Sequence, residues 1–451
     1  MKKVILCLIP ALLLSGCAPA EVNEESTTYE LAPSVRKADS TKTEGYSLTF
    51  TLKDNCFDKK ATVFNKELAM VSFGNSLATS SESTMTKFYE DLKFDTLESH
   101  FVAERTEESV CYMFAHRNFG KYDVVSLSVS GFDYEIEWVN NVQVGESGNH
   151  EGFEARANEV YAALKTYLTQ FEKPKLWISG YSRAGAISNI VSHFVLSKNE
   201  INIKKEDMYV YTFEAPKALD INNRVNYSNV FNLVSSGDFV TYVPPEEYGF
   251  SRYGVDVDIY TDKANELIAA FDEDIEVAEF KECDGLSQTA SGPLTSPAEF
   301  FQDAITVITR DGGDDTTGVY IHTRHDFASQ VQAPIQTAIR VYFSLSDSTK
   351  AELLEAVKAK AADYSILNLL NSTDDLYDFI TPFLDEDGYQ YDEDTLRNEL
   401  DILRRFIGMQ FSLIASVFMG YDYGNNFKRG ITMHYPEINY VLLTNYLSQV
   451  K

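Results

Sequence analysis

Two kinds of hydrophobic pattern alternate between residues 46 and 257. Short apolar runs predict buried strands, whereas apolar residues spaced three or four apart predict helices. The predicted strands are 124–129, 175–178, 208–213 and 230–234, and the predicted helices include 151–171 and 186–196. Because this alternation indicates βαβ units, we predict an α/β fold with a mostly parallel central sheet.

The pattern changes after residue 260. The segment 260–425 is acidic and largely helical, and one helical face carries Leu396, Leu400 and Leu403. We predict a large helical cap inserted into an α/β core made of residues 46–259 and 426–451. A purely structural helical subdomain is the alternative to a lid. The closing part is predicted to contain a short strand-like piece and a helix over 436–450.

The N-terminus has the pattern of an export signal. Lys2 and Lys3 precede an apolar run over 4–14, which is too short to span a bilayer. Because small residues precede Cys17, we predict a lipoprotein signal over 1–17, with Cys17 lipidated, and an ordinary signal peptide is the alternative. Residues 18–45 are polar and are predicted to form a flexible tether. We therefore expect an extracytoplasmic protein, lipid-anchored to a bacterial membrane.

Composition narrows the classes of partner. The 68 acidic and 39 basic residues give a formal charge of −29, which disfavours binding to nucleic acid and to anionic lipid. Cys56, Cys111 and Cys283 remain after the signal, and both a Cys56–Cys111 disulfide and three free thiols stay open. Zinc-type spacing and phosphate-binding or dinucleotide-binding glycine patterns are absent from the sequence, so we predict no metal and no cofactor.

One hexapeptide carries the strongest chemical signal. Gly180-Tyr181-Ser182-Arg183-Ala184-Gly185 lies between a predicted strand and a predicted helix. Such a turn exposes a serine hydroxyl above the sheet, and small neighbours let the helix pack back on the strand. We predict Ser182 as a nucleophile and the backbone N–H of Arg183 as one oxyanion donor. The second predicted donor is the N–H of Phe132, just after the strand 124–129.

A serine nucleophile needs a histidine base and a carboxylate that orients it. In α/β-hydrolases these follow the serine in the order acid, then histidine. Asp238 lies beyond the predicted strand 230–234 and is the candidate acid, with Asp220 and Asp256 as further candidates. His434, before the last predicted helix, is the candidate base. His325, at the start of a cap helix, is the alternative base.

Several motifs follow one another in the order found in a known family. They are Ser130-Gly131-Phe132, His150-Glu151-Gly152-Phe153, the hexapeptide around Ser182, Thr212-Phe213-Glu214-Ala215-Pro216-Lys217, Ser236-Gly237-Asp238 and His434-Tyr435-Pro436-Glu437. Together they resemble the class 3 (fungal-type) lipases of the α/β-hydrolase superfamily, especially the extracellular bacterial branch. The hexapeptide around Ser182 corresponds to the family's Gly-His-Ser-Leu-Gly-Gly, and the motif that begins at Thr212 corresponds to its Thr-Phe-Gly-x-Pro-Arg. The resemblance implies an ester hydrolase with Ser182, Asp238 and His434 as its triad.

Two departures from the family keep a second hypothesis open. Phe132 replaces a hydroxyl residue and Ser130 replaces an arginine. The first hypothesis is a membrane-tethered serine hydrolase of carboxylic esters, with lipid or acylglycerol substrates favoured by the resemblance. The alternative is a catalytically degenerate surface binding lipoprotein on the same fold. A third possibility keeps the triad but uses a thioester or peptide substrate.

Overall fold

The computed structural model describes residues 22–132, 135–284, 293–310, 321–362, 365–409 and 422–450. The predicted signal 1–17, with Cys17, lies outside these ranges. The strands are β1 Glu24–Leu31, β2 Tyr46–Lys53, β3 Thr96–Ser99, β4 Tyr112–Asn118, β5 Asp123–Val129, β6 Lys175–Tyr181, β7 Met208–Phe213, β8 Leu219–Asp220, β9 Val230–Val234, β10 Phe250–Ser251, β11 Val255–Asp258, β12 Cys283–Asp284 and β13 Pro293–Leu294.

Helices account for most of the remaining described chain. They are α1 Lys66–Ala78, α2 Glu82–Asp91, α3 Trp138–Asn141, α4 Glu151–Leu168, α5 Arg183–Ser197, α6 Ala264–Phe271, α7 Pro297–Arg310, α8 Arg324–Gln330, α9 Gln332–Ser344, α10 Asp347–Ala362, α11 Thr373–Glu386, α12 Glu393–Met409, α13 Asp422–Thr432 and α14 Pro436–Gln449. Short 3-10 helices include Phe239–Tyr242, directly after Asp238. Within the described ranges, we find no helix that combines the length and the apolar character needed to cross a bilayer.

A central sheet organises the core. Its strand order over the described residues is β11-β9-β7-β6-β5-β4-β3. The pairs from β5 to β11 are parallel, and β3 and β4 add an antiparallel edge. This confirms the predicted α/β fold with a mostly parallel sheet. The observed β7 and β9 coincide with the predicted 208–213 and 230–234.

Alternate residues of the sheet enter two separate cores. Trp177 and Tyr209 pack on one face with α1 and α14, whereas Ile178 and Val210 pack on the other with α4 and α5. Both faces are therefore covered, which explains why every residue of β7 is buried and why its sequence is apolar apart from Thr212. A hydrogen bond of 2.8 Å from the Trp177 indole Nε1 to Ser72 Oγ satisfies the only polar atom of that buried ring.

The prediction of a flexible tether over 18–45 is wrong for a large part of that segment. Residues 24–31 form β1, which pairs antiparallel with β2. The backbone N–H groups of Ser34 and Val35 then donate to the Glu437 carboxylate at 2.7 and 2.9 Å. The polar sequence was misleading because β1 buries few side chains and owes its order to hydrogen bonds with β2.

A second correction concerns the residues before His434. We predicted a strand-like piece there, but the chain forms helix α13 up to Thr432. Its aromatic residues Tyr423 and Phe427 pack against Phe300 and Phe301 of α7. The predicted boundary at 425/426 therefore falls inside a helix. Helices α9 to α12 form a separate apolar cluster around Leu384 and Leu396, in line with the helical character predicted for 260–425.

Candidate active site

Ser182 lies at the tight turn between β6 and α5. Its φ of 55° and ψ of −128° are strained for a residue with a side chain, which is typical of a nucleophile turn. The Ser182 N–H donates to the Phe213 carbonyl at 2.8 Å, which ties the turn to β7. A Cβ at Gly180 would lie 2.5 Å from the Ala184 carbonyl oxygen, so only glycine fits there. The turn therefore combines backbone strain with close helix–strand packing.

The structure brings the three predicted triad residues together. His434 Nε2 lies 2.7 Å from Ser182 Oγ, and His434 Nδ1 lies 2.6 Å from Asp238 Oδ2. Asp238 is fully buried and also accepts a hydrogen bond of 2.8 Å from the Val240 N–H. Asp238 follows β9 at the carboxyl edge of the sheet, where parallel α/β folds place their sites. One continuous hydrogen-bonded chain thus connects the hydroxyl to the carboxylate.

The histidine backbone is held in place by two further residues. Tyr181 Oη donates to the His434 carbonyl, and Asn439 Nδ2 donates to Tyr181 Oη at 2.9 Å and to the Met433 carbonyl at 2.9 Å. Tyr181 precedes the nucleophile directly in the chain. The turn that carries Ser182 is therefore linked to the loop that carries His434 by bonds outside the triad.

Burial controls the protonation of the site. Burial lowers the pKa of His434 to about 4 and raises the pKa of Asp238, because the charged form of either group loses solvation there. The two groups share a hydrogen bond and titrate as a pair. One proton lies between Nδ1 and Oδ2, which leaves Nε2 to accept the hydroxyl hydrogen of Ser182.

The predicted oxyanion loop lies directly against the nucleophile turn. A Cβ at Gly131 would come within 2.4 Å of the Tyr181 carbonyl oxygen and 3.2 Å of the Ala184 Cβ. The Phe132 ring stacks on the Tyr181 ring with centroids 5.6 Å apart. The contact also shows why Ala184 is accommodated where the motif usually has glycine, since its methyl group faces a residue that lacks a side chain.

Ionic contacts support this loop. Arg105 Nη1 donates to the Phe132 carbonyl at 3.1 Å and to buried Glu137 Oε2 at 3.3 Å. Glu137 Oε1 lies 3.5 Å from Arg183 Nη1. Glu137 therefore connects both residues predicted to supply oxyanion donors. Ser130 uses its hydroxyl differently, by donating to the Thr79 carbonyl at 2.8 Å.

The other candidates lie in different environments. His325 is 65% exposed, and its Nδ1 lies 3.4 Å from Glu146 Oε2. Asp220 caps the 3-10 helix Ile221–Asn223, and Asp256 pairs with Arg252 at 3.0 Å. The structure brings none of these three candidates to Ser182 in place of His434 or Asp238. Cys56 and Cys111 are buried free thiols, so the disulfide that the sequence left open is not formed. Cys283 is buried as well.

Sequence reasoning missed Glu214, a buried acidic residue beside the triad. It follows β7, has a φ of 46° and is fully buried beside Asp238. A signal was present, because Glu214 stands where the quoted family pattern Thr-Phe-Gly-x-Pro-Arg has glycine. An acidic residue straight after a buried strand, at the edge that carries the site, is unusual enough to mark the position.

A strained serine bonded to a histidine and a buried carboxylate, at the carboxyl edge of a mostly parallel sheet, defines the serine-triad class of α/β-hydrolases. The model of the family described as Lipase (class 3) matches residues 101–248. This segment is therefore similar to the class 3 lipases, the family that the order of the motifs predicted. The match includes Ser182 and Asp238 and ends before His434.

Solved structures similar to this chain are fungal lipases. The lipase from Rhizopus microsporus var. chinensis is 16% identical, with 44% of this chain and 75% of that chain covered and a TM-score of 0.34. The triacylglyceride lipase of Rhizomucor miehei is 18% identical, with 45% of this chain and 83% of that chain covered and a TM-score of 0.33. Lipase II from Rhizopus niveus is 16% identical, with 45% of this chain and 79% of that chain covered and a TM-score of 0.32. No curated protein matches. At such TM-scores, the assignment rests on the family match and the sheet topology.

Proposed function

We propose that this protein is a membrane-tethered serine hydrolase that cleaves carboxylic esters of lipids. The observation that carries the proposal is the chain of two hydrogen bonds, 2.7 and 2.6 Å long, from Ser182 Oγ through His434 to Asp238. This geometry fits general-base activation of a serine hydroxyl. The match of residues 101–248 to the class 3 lipase family favours an ester as the substrate.

The proposed reaction follows from these positions. Ser182 Oγ attacks the ester carbonyl while His434 Nε2 takes the hydroxyl proton, and the negative charge of Asp238 stabilises the resulting imidazolium. The N–H groups of Arg183 and Phe132 bind the oxyanion. His434 then gives the proton to the leaving alcohol, and an acyl-enzyme ester remains on Ser182. A water molecule, activated by the same histidine, releases the carboxylic acid.

An apolar groove supports a lipid substrate. It has a volume of about 340 Å³ and is lined by Trp138, Ile335, Tyr342 and Leu403, among others. Trp138 is 46% exposed and directly follows Glu137, the residue that contacts Arg183. A groove of this size and character suits an acyl chain, because burying each CH₂ group contributes about 0.8 kcal/mol.

Membrane tethering is part of the proposal and follows from Cys17. Acyl chains on this residue would anchor the protein on the extracytoplasmic side of a bacterial membrane. The test is membrane fractionation of the wild type and Cys17→Ser. We expect the wild type in the membrane fraction and the variant in the soluble fraction. Equal membrane association of the two proteins would contradict the anchor.

The test of the chemistry compares wild type with Ser182→Ala on short-chain and long-chain nitrophenyl esters. We expect kcat to fall about a millionfold or to background in the variant. His434→Ala should have a similar effect, whereas His325→Ala should retain activity because its ring is exposed and contacts Glu146. Equal hydrolysis by wild type and Ser182→Ala would contradict the assignment.

The alternative function is a binding lipoprotein that keeps the fold without the chemistry. Phe132 and Ser130 favour it, because neither supplies the family's side chain at the oxyanion loop. A fluorophosphonate probe separates the two functions, since it labels only an activated serine. Labelling of Ser182 that disappears in Ser182→Ala supports the hydrolase. An unlabelled, folded wild type supports the binding function.

A further inference from the structure

Glu214 is a carboxyl group that the triad chemistry does not use. It follows β7 with a φ of 46°, a conformation that a residue with a side chain adopts at a cost, and its exposure is 0%. Its N–H donates to the Leu233 carbonyl at 2.9 Å, and its Oε2 accepts from the Ser235 N–H at 2.9 Å. These bonds fix the side chain between the ends of β7 and β9.

The second carboxyl oxygen of Glu214, Oε1, indicates that this carboxyl group carries a proton. Oε1 is buried and accepts no hydrogen bond from the described residues. The Ser235 N–H that binds Glu214 belongs to the turn that leads to Asp238, because the Asp238 N–H donates to the Ser235 carbonyl at 3.0 Å. The two buried carboxyl groups therefore lie close together, and each affects the pKa of the other. Two buried negative charges in contact repel strongly, whereas a proton shared by the two carboxyl groups lets them form a hydrogen bond. One member of the pair must therefore be a neutral acid.

The surroundings decide which member is neutral. Burial, and secondarily Asp238, raise the pKa of Glu214 well above its ordinary value. Asp238 has more support for its negative charge, because Val240 N–H and His434 Nδ1 both bond to it. The other titratable or charged groups around the pair are Arg252, which favours ionised Asp238, the phenols of Tyr181 and Tyr242, and Glu437, which acts on Tyr181.

We propose that Glu214 is a positioning residue for the triad: as a neutral acid it donates a hydrogen bond to Asp238 and orients that carboxylate toward His434. This rests on the proposed hydrolase function of the same site. Glu214 touches neither the substrate nor the reacting atoms. Its effect passes through Asp238, whose ionised form it stabilises and whose position it restricts.

Two substitutions of Glu214 test whether it acts as a neutral hydrogen-bond donor or only as a structural side chain. Glu214→Gln keeps a neutral donor of the same shape, with an amide N–H for Asp238 and a carbonyl for Ser235. Glu214→Gly removes the donor, and it should still fold because glycine adopts positive φ freely. Thermal unfolding of both variants establishes that they are folded.

The primary measurement is the pH profile of kcat/KM on a nitrophenyl ester. We expect E214Q to keep the acid limb of the wild type and a kcat/KM within about threefold. In E214G the Asp238–His434 pair holds its proton more tightly, so the acid limb should move to higher pH by about one unit. The proposal is overturned if the acid limb shifts as far in E214Q as in E214G, or if it does not shift in E214G.

A second measurement does not depend on turnover. The proton on His434 Nδ1, in its short bond to Asp238, gives a far-downfield NMR resonance whose pH midpoint reports the pair directly. The same order is expected, with E214Q like wild type and E214G shifted upward. If the wild type hydrolyses no ester, the proposed function fails, yet these midpoints still decide the role of Glu214. If hydrolysis depends on Ser182 but the three midpoints coincide, only the role of Glu214 fails.

Discussion

Substitution of Gly131 by alanine tests the oxyanion loop most directly. The added Cβ would lie 2.4 Å from the Tyr181 carbonyl oxygen, whereas ordinary contact begins about 1 Å farther out. Tyr181 is the last residue of β6. It pairs with Phe213 of β7 in the sheet, and its hydroxyl donates to the His434 carbonyl. The loop, and not the strand, must therefore retreat, and it carries the Phe132 N–H away from the substrate.

The size of the effect follows from this displacement. A misplacement of about 1 Å in a catalytic group lowers a rate about a hundredfold, and the loss of one oxyanion donor lowers it by about a hundred- to a thousandfold. We expect kcat of Gly131→Ala to fall about a hundredfold, equivalent to about 2.7 kcal/mol of transition-state stabilisation. Overpacking should also lower the free energy of unfolding by about 1–3 kcal/mol.

The assay is steady-state hydrolysis of a nitrophenyl ester together with calorimetric unfolding. Gly408→Ala is the matched control, because it makes the same change in helix α12, where the added Cβ meets no atom of the described residues within 4 Å. The control should keep its kcat and gain up to about 1 kcal/mol of stability from helix propensity. A folded Gly131→Ala that retains kcat within about threefold would refute the role of the loop.

Three further predictions concern other parts of the molecule. Asp238→Asn should lower kcat about ten-thousandfold with little change in KM, measured by steady-state kinetics, because asparagine supports the wrong imidazole tautomer; an unchanged kcat would contradict the triad. Burial lowers the pKa of His150 to about 3, whereas the unfolded chain binds this proton near pH 6.5. The free energy of unfolding should therefore decrease as the pH falls from about 6.5 toward 3, by about 2–3 kcal/mol at pH 4.5. Urea titrations should show a smaller decrease in His150→Gln. Trp138→Ala should raise KM for a long-chain ester about tenfold and leave a short-chain ester unaffected, whereas Leu354→Ala, also an exposed apolar residue, should change neither; equal effects would argue against the groove.

The accuracy of the sequence predictions differed between elements for physical reasons. The strands at 208–213 and 230–234 were predicted residue for residue, because both faces of the sheet are covered and each strand has only one non-aromatic polar residue, Thr212 or Asn232. Strand β1 was missed because its order comes from pairing with β2 and not from its own apolar content. Helix α13 was mistaken for a strand because its apolar residues meet a helix of the cap segment, α7, which a local pattern cannot reveal.

Glu214 illustrates a different limit. Its chain position, after a buried strand and where the family has glycine, was visible in the sequence, but the sequence does not show which group its carboxyl contacts. Only the meeting of β7 and β9 at one edge of the sheet brings its carboxyl group to Asp238, and only full burial makes a shared proton necessary. The role of Glu137 between Arg105 and Arg183 is of the same kind, because the three residues come from separate segments.

The sequence by itself determined the alternation of strands and helices between residues 124 and 234, the parallel character of the sheet and the serine at the turn. These features depend on residues close together in the chain, where periodicity and small side chains leave few alternatives. The tertiary structure decided which histidine meets that serine, since His434 and Ser182 are 252 residues apart and His325 was an open alternative. It also decided the electrostatics of the site, because burial and neighbouring charges exist only once distant segments have packed together.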